Sequence, residues 1–297
     1  MKKCTAVIGA LVLLQPMGKL IVMGSMTFLN RPAVMLAAPE ETKLKSFLFY
    51  YNRGNDKFDA GDYYGAISDY SKVIEINPKY AKAYNNRGNA KGNLGDNFGA
   101  ISDQSKAIEI NPKYATAFNN RGFSKSNLKD YYGAISDYNK AIEINPNFAL
   151  AYQNRGNSKG SLGDNFGAIS DYNKAIEINP KNADYYYNRG NAKYELSDYY
   201  DAISDYTIAI EINPNFGLAY NNRGLTKGKN LGDNFGALAD ISKAIEINPN
   251  HASAFRNRSV VKEIIGNVKG ACDDAIRAVS LGDQNDGNKQ WIKSNCK

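Results

Sequence analysis

Along residues 81–95, AKAYNNRGNAKGNLG, the small and apolar residues Ala81, Tyr84 and Gly88 and the aliphatic stem of Lys91 recur every three or four positions. That is the period of one helix face. The next stretch, DNFGAISDQSKAIEINP, carries a second stripe through Phe98, Ile101, Ala107, Ile108 and Ile110. Asp96 stands where an N-cap belongs, and Pro112 stands where a helix has to stop. The two stripes therefore predict two helices joined by a short turn. Gly88 on the first and Ala100 on the second leave room for the backbones to approach, so the pair is expected to pack as a hairpin.

The hairpin is written many times. Ile-Asn-Pro recurs with Pro78, Pro112, Pro146, Pro180, Pro214 and Pro249, at spacings of 34 residues and once 35. A fixed period in this range marks an array in which each unit buries its apolar face against its neighbours. Numbering each unit so that the proline is position 32, an aromatic stands at position 4 (Tyr50, Tyr84, Phe118, Tyr152, Tyr186, Tyr220, Phe255). Glycine stands at position 8 (Gly54 to Gly224), alanine at position 20 (Ala66 to Ala271), and position 27 is small in nearly every copy. This pattern resembles the tetratricopeptide repeat family over about residues 47–281, as six full repeats and a degenerate seventh. The resemblance implies an all-α, right-handed α-solenoid of tandem helical hairpins. Residues 1–38 are read as a separate leader, 39–46 as a linker and 282–297 as a C-terminal cap.

A second period lies inside the first. Repeats 1, 3 and 5 open their second helix with DYYGAI, DYYGAI and DYYDAI, and repeats 2, 4 and 6 with DNFGAI, DNFGAI and DNFGAL. The duplicated unit is thus a pair of repeats. The single extra residue falls between Lys227 and Leu231, where a turn is expected to absorb it.

The leader has a different grammar. Lys2 and Lys3 precede apolar runs that reach Leu29, interrupted by Pro16 to Lys19, and small residues follow at Leu36-Ala37-Ala38. This order is that of an export signal cleaved near Ala37 or Ala38. The alternative is a membrane tether through residues 5–28 that tolerates Lys19. The leader holds Lys2, Lys3, Lys19 and Arg31 and no acid, so the net charge of +7 falls to +3 without it. The basic balance is therefore poor evidence for nucleic acid, which needs a dense Lys/Arg stripe. The chain has one histidine, His251, and no Walker loop, nucleotide-binding glycine fingerprint or CxxC pair. Catalysis, a metal site and a cofactor are not expected.

Two residue types vary so little that they need a role in every unit. Arginine holds position 7 (Arg53, Arg87, Arg121, Arg155, Arg189, Arg223, Arg258) and aspartate position 23 (Asp69, Asp103, Asp137, Asp171, Asp205, Asp240, Asp274). One of each per hairpin points to a bidentate bridge, with Arg87–Asp103, Arg121–Asp137 and Arg155–Asp171 as clear examples. A ring of anion-binding arginines is the functional alternative. Position 6 is always asparagine (Asn52, Asn86, Asn120, Asn154, Asn188, Asn222, Asn257), and position 9 adds Asn55, Asn89, Asn157 and Asn191. The two positions share one helix face.

The resemblance implies that this face, with positions 2, 5, 12 and 13, lines a concave groove. An amide supplies both a donor and an acceptor, which an extended peptide backbone requires. The arrangement resembles the asparagine ladder of the O-linked N-acetylglucosamine transferase superhelix, without that enzyme's catalytic domain. The alternative is that the amides satisfy one another within the array. If they face solvent, their removal should leave stability nearly unchanged.

Position 5 reads Tyr51, Asn85, Asn119, Gln153, Tyr187, Asn221 and Arg256, so the carboxylate clamp of chaperone-binding relatives is not expected. Tyr51, Phe58, Phe123, Tyr187 and Tyr194 are expected to dot a neutral groove. At the C-terminal end a helix from about Asn288 is expected to cover the last hairpin with Trp291 and Ile292. Cys272 and Cys296 read as one disulfide of an exported protein or as two free thiols, with Cys4 in the leader. The chain is therefore expected to be an exported, non-catalytic scaffold for other proteins or peptide segments. Two alternatives stay open: a membrane-tethered assembly factor and a non-catalytic subunit of an enzyme carried on another chain.

Overall fold

The computed structural model describes residues 39–296, and the leader lies outside them. Among the described residues fourteen helices pair in chain order. They are α1 (Pro39–Asp59) with α2 (Tyr63–Ile76), α3 (Ala81–Asn93) with α4 (Asn97–Ile110), and α5 (Ala115–Asn127) with α6 (Tyr131–Ile144). There follow α7 (Ala149–Ser161) with α8 (Asn165–Ile178), α9 (Ala183–Glu195) with α10 (Tyr199–Ile212), α11 (Gly217–Leu225) with α12 (Asn234–Ile247), and α13 (Ala252–Ile264) with α14 (Val268–Ser280). A last helix, α15 (Asp286–Asn295), closes the array. Each helix packs on its neighbours in sequence, and the first helices of successive inner hairpins also touch. The result is an all-α solenoid.

Local chemistry sets the boundaries. Asp62, Asp96, Asp130, Asp164 and Asp233 cap the second helices, each accepting the N–H of the glycine three residues on at 2.8–2.9 Å. A Cβ on any of those glycines would overlap the capping carboxylate. The fifth repeat has Asp201 in place of that glycine, and there Asp198 makes no side-chain cap bond. At the other end the asparagine of Ile-Asn-Pro leaves the helix, and its Oδ1 accepts the N–H two residues on at 3.0–3.4 Å. This Asx turn carries the proline over to the next hairpin. Inside each hairpin the turn passes through a left-handed residue, glycine at 61, 95, 163, 232 and 266, but Lys129 and Ser197 in repeats 3 and 5, both at φ 63°.

The core is made of small residues. The alanines of position 20 and the Val73 and alanines of position 27 are fully buried in all seven hairpins. Tyr70, Tyr138, Tyr172 and Tyr206 at position 24 lie against the position-8 glycines, where a Cβ would come within 2.7–2.8 Å of Cε1 of the ring. Each such ring removes on the order of 200 Å² from water, which offsets the roughly 1 kcal/mol that a helical glycine costs.

Four expectations change. Residues 39–46, read as a linker, are the first two turns of α1. The extra residue of repeat 6 is absorbed inside the helix, as a π-helical turn over Thr226–Asn230, and not in the connecting turn. An inserted residue can widen one helical turn without disturbing either flank. Phe98, assigned to the buried stripe, is 75 % exposed, because it lies on the same face of α4 as the exposed Ser102, Lys106 and Glu109. The terminal helix starts at Asp286, capped by Asn285, two residues ahead of Asn288.

Asn288 is buried and donates to Asp283, and Trp291 Nε1 donates to Glu263 Oε1 at 2.7 Å. Cys272 on α14 and Cys296 at the end of α15 form a disulfide across 24 residues of chain. Closing a loop of that size contributes about 3 kcal/mol in the chain-entropy account.

Candidate interaction groove

A charged network fixes the groove's walls. In all seven hairpins the arginine of position 7 meets its aspartate through Nε and one terminal nitrogen at 2.6–2.9 Å. The other terminal nitrogen donates to position 25 of the preceding hairpin, Ser71, Ser105, Asn139, Asn173, Thr207 or Ser242, at 2.6–3.3 Å. The guanidinium stands over the aromatic of position 4 at 5.3–5.6 Å. A second cation reaches the same carboxylate from position 11, Lys57, Lys91, Lys125, Lys159, Lys193, Lys227 or Lys262, at 2.8–3.0 Å. The aspartates are buried, and the bond from Arg53 followed by that from Lys57 holds Asp69 below the usual carboxylate range against the effect of burial.

Sequence reasoning found the pair and missed its other three members. The lysine was taken as an apolar stem, although it recurs four residues after every arginine, one helical turn away. On the six arginines from Arg87 to Arg258 three kinds of N–H are engaged, and these six tie hairpins together.

The asparagines of position 6 form a ladder from one hairpin to the next. Asn120 Nδ2 donates to Asn85 Oδ1 at 3.0 Å, Asn154 to Asn119 at 3.1 Å and Asn257 to Asn221 at 3.0 Å. Asn86 reaches Asn55 at 3.3 Å, and Asn222 reaches Asn191 at 3.0 Å and the Tyr187 hydroxyl at 3.2 Å. Asn85, Asn119 and Asn221 in turn donate to Asn86, Asn120 and Asn222 beside them. Asn52 and Asn188 enter no such bond: Asn52 has no hairpin ahead of it among the described residues, and position 5 of the hairpin before Asn188 is Gln153, not asparagine or tyrosine.

Position 9 also bonds within its own hairpin. Asn55, Asn157 and Asn191 accept the hydroxyls of Tyr70, Tyr172 and Tyr206 at 2.7–2.9 Å, and Asn89 accepts from Gln104 at 3.3 Å. Of the two readings of these amides, mutual satisfaction within the array describes the bonds that all but Asn52 and Asn188 make.

Position 5 is also corrected as a groove-lining position, because Asn85, Asn119 and Asn221 are buried beneath the ladder. Of the five aromatics assigned to the groove, Tyr51 packs on Phe47, Tyr70 and Tyr80, and Tyr187 packs on Tyr206 and Phe216. Phe58 and Tyr194 meet Tyr63 and Tyr199. Phe123 stands more than half exposed. It takes position 9 in repeat 3, and with Phe58 it bounds a hollow of about 230 Å³ closed by Asn89, Asn93, Gln104, Asn120 and Ser124. Further hollows of about 300 Å³ lie between Asn55, Phe58, Tyr70 and Asn86, and between Asn191, Tyr194, Tyr206 and Asn222.

An array of near-identical helical hairpins, tied by one charged network per unit and lined by amides along one face, defines a helical-repeat interaction scaffold. The chain belongs to the tetratricopeptide repeat family. Profiles described as TPR repeat match residues 54–95 and 157–197, and profiles described as tetratricopeptide repeat match 81–114, 115–148 and 183–216. No protein of curated function matches the chain in sequence.

Among solved structures, a tetratricopeptide repeat protein from Parabacteroides merdae superposes with a TM-score of 0.65 at 21 % identity, covering 85 % of this chain and all of that one. YrrB, described as a TPR protein with an unusual peptide-binding site, gives 0.51 at 26 % identity over 64 % of this chain and 97 % of its own. MamA gives 0.50 at 25 % identity, over 54 % and 93 %.

Proposed function

We propose that the groove binds an extended segment of a partner protein. The hollow between Phe58 and Phe123 takes an apolar side chain, and the flanking amides hold the partner's backbone. The observation that carries this reading is the joint character of that hollow: two aromatic walls, one of them Phe123, within a ring of amides. The ladder does not exhaust its rungs. Asn120 spends one of its two Nδ2–H groups on Asn85 and one Oδ1 lone pair on Asn119, so one donor and one acceptor remain, held at fixed positions. Amides already locked in place lose little freedom on binding, which favours affinity. YrrB, whose described property is a peptide-binding site, supports the reading by likeness.

The same proposal sets the scaffold on the far side of a membrane. Its support is the positive–apolar–small order of residues 1–38 and the Cys272–Cys296 bridge, a bond that persists in oxidising compartments.

The test is selection of 12-residue peptides displayed on phage against the purified protein. Enriched sequences should share one aromatic or aliphatic anchor and carry little net charge. Phe123→Ala should weaken the selected peptides by about tenfold or more, the effect of removing a central anchor. Selection of nothing, or of peptides indifferent to Phe123→Ala, overturns the assignment of the groove.

A further inference from the structure

One column of side chains is used neither by the core nor by the groove. Position 18, in the first turn of each second helix, is Tyr64, Phe98, Tyr132, Phe166, Tyr200 and Phe235, and all six rings are 75–77 % exposed. The seventh hairpin ends the column with Lys269. An aromatic left three-quarters in water once is ordinary; six in the same place, one per hairpin, form a row along one edge of the solenoid that marks an interaction surface. Five of the six are followed by the capping glycine. The row comes from α2, α4, α6, α8, α10 and α12, whereas the groove is lined mainly by the first helices, so one can be occupied while the other stays open.

We propose that this row is the interface of a two-fold dimer, in which a second copy of the chain lies antiparallel along it and the axis falls between Tyr132 and Phe166. The exposed area and the regular spacing of the row carry the proposal, and the order of the residues, already set by duplication of a repeat pair, is compatible with it. The column alternates Tyr-Phe-Tyr-Phe-Tyr-Phe, so read against its own reverse it sets Tyr64 opposite Phe235, Phe98 opposite Tyr200 and Tyr132 opposite Phe166. Every pair then has one hydroxyl, free to point to water at the rim, and no two phenols compete for one ring edge. Parallel pairing would set like against like. A second copy also has the same spacing along its own row, which an unrelated surface has no reason to share.

The area is sufficient. Three-quarters of an aromatic side chain is about 150 Å², so six rings from each copy cover roughly 1,800 Å² in all, within the 1,200–2,000 Å² of stable interfaces. The contact is isologous and closes on itself, giving a dimer and no fibre.

Sedimentation equilibrium of the purified protein from about 1 to 100 μM is expected to give twice the monomer mass. Tyr132→Ser with Phe166→Ser removes four rings at the axis and should raise the dissociation constant at least about 100-fold. Tyr64→Ser with Phe235→Ser at the ends should raise it by about tenfold or less. All four side chains are exposed, so thermal unfolding of the monomeric variants should match the parent, which shows that the fold is intact.

Charge complementation tests the register. Tyr132→Lys and Phe166→Asp should each be monomeric alone and should form a heterodimer when mixed, because one altered pair then becomes a salt bridge and the other pair is native. A monomer at 100 μM overturns the proposal, whatever else the row then binds. So does a dimer indifferent to the central substitutions, an open-ended polymer, or a mixture that stays monomeric.

Discussion

Replacing Asp137 by alanine tests the charged network in the interior of the array, between hairpins on both sides. Asp137 is 3 % exposed and receives Nε of Arg121 at 2.9 Å, a terminal nitrogen of Arg121 at 2.6 Å and Nζ of Lys125 at 2.8 Å. Its removal leaves two cations facing each other in a half-buried place, and Arg121 remains tied to Ser105 and Phe118 and cannot simply swing away. A hydrogen bond to a charged group is worth about 1.5–3 kcal/mol, and breaking a buried pair from one side costs about 3–5 kcal/mol. Some relief comes from the residual exposure of the two cations, about a fifth of each side chain. A loss of about 3–4 kcal/mol is therefore expected.

Arg121→Leu should cost less, about 2–3 kcal/mol, since Lys125 still holds the carboxylate, and Lys125→Met about 1 kcal/mol. The double change Arg121→Leu/Asp137→Leu should cost less than the sum of its single changes, because no buried charge is stranded. Urea unfolding followed by circular dichroism gives the totals. Because a repeat array can lose its all-or-none character when one unit is weakened, hydrogen exchange should show whether opening begins in repeat 3. A loss below about 0.5 kcal/mol for Asp137→Ala would refute the reasoning, since it would mean that the network behaves as an exposed surface pair.

The amide ladder makes a sharper comparison within one residue type. Asn154→Ala breaks a rung and should cost about 1 kcal/mol, whereas Asn188→Ala, at the gap, should be nearly neutral; equal losses in denaturant melts would remove the ladder as a structural element. Lys129→Gly and Ser197→Gly should each stabilise the protein by about 0.5–1 kcal/mol, because both residues sit at φ 63° where the other hairpins use glycine; unchanged or lower melting temperatures would contradict this. Burial pushes the phenol of Tyr70 up to about 12, and those of Tyr138, Tyr172 and Tyr206 upward as well. Their neutral forms contribute stability that is fully present below about pH 10 and is lost as pH rises through 12, so absorbance at 295 nm should show a late group of tyrosines ionising together with loss of helix. Early ionisation of all the tyrosines with the fold intact would refute it.

The fold was legible because the constraint that shapes it is periodic. A small residue is demanded wherever two backbones approach, and in Gly122, Ala134 and Ala141 the chain repeats that demand every 34 residues. The arginine–aspartate pair was legible for the same reason, since a buried charge requires its partner in every copy. Less was visible where a residue's role depends on its neighbour in the adjacent unit. Asn120 and Asn188 open the same Asn-Arg-Gly triplet, yet one donates across the junction and the other does not, and position 5 of the preceding hairpin is Asn85 in one case and Gln153 in the other. Phe98 was misassigned for a different reason. Hydrophobic periodicity counts an aromatic as buried, but Phe98 shares its helix face with Ser102, Lys106 and Glu109, which all stand in solvent.

These columns divide the repeat by consequence. Positions 7, 8, 11, 20, 23 and 27 face inward or across a junction, so a change at any of them alters every unit's contact with the next, and nearest-neighbour stability leaves them little freedom. Position 9 has more: the side chains of Asn55 and Asn191 accept a rung from the next hairpin, but those of Asn89 and Asn157 bond only within their own. It can become phenylalanine at 123, where Tyr138 forgoes an amide acceptor and the groove gains its exposed aromatic wall. Position 18 has the most freedom, since its side chain supports no junction and would be indifferent to polar substitution on stability grounds alone. That it is nevertheless aromatic in all six full repeats is unexplained by packing, and the dimer interface proposed above would account for it.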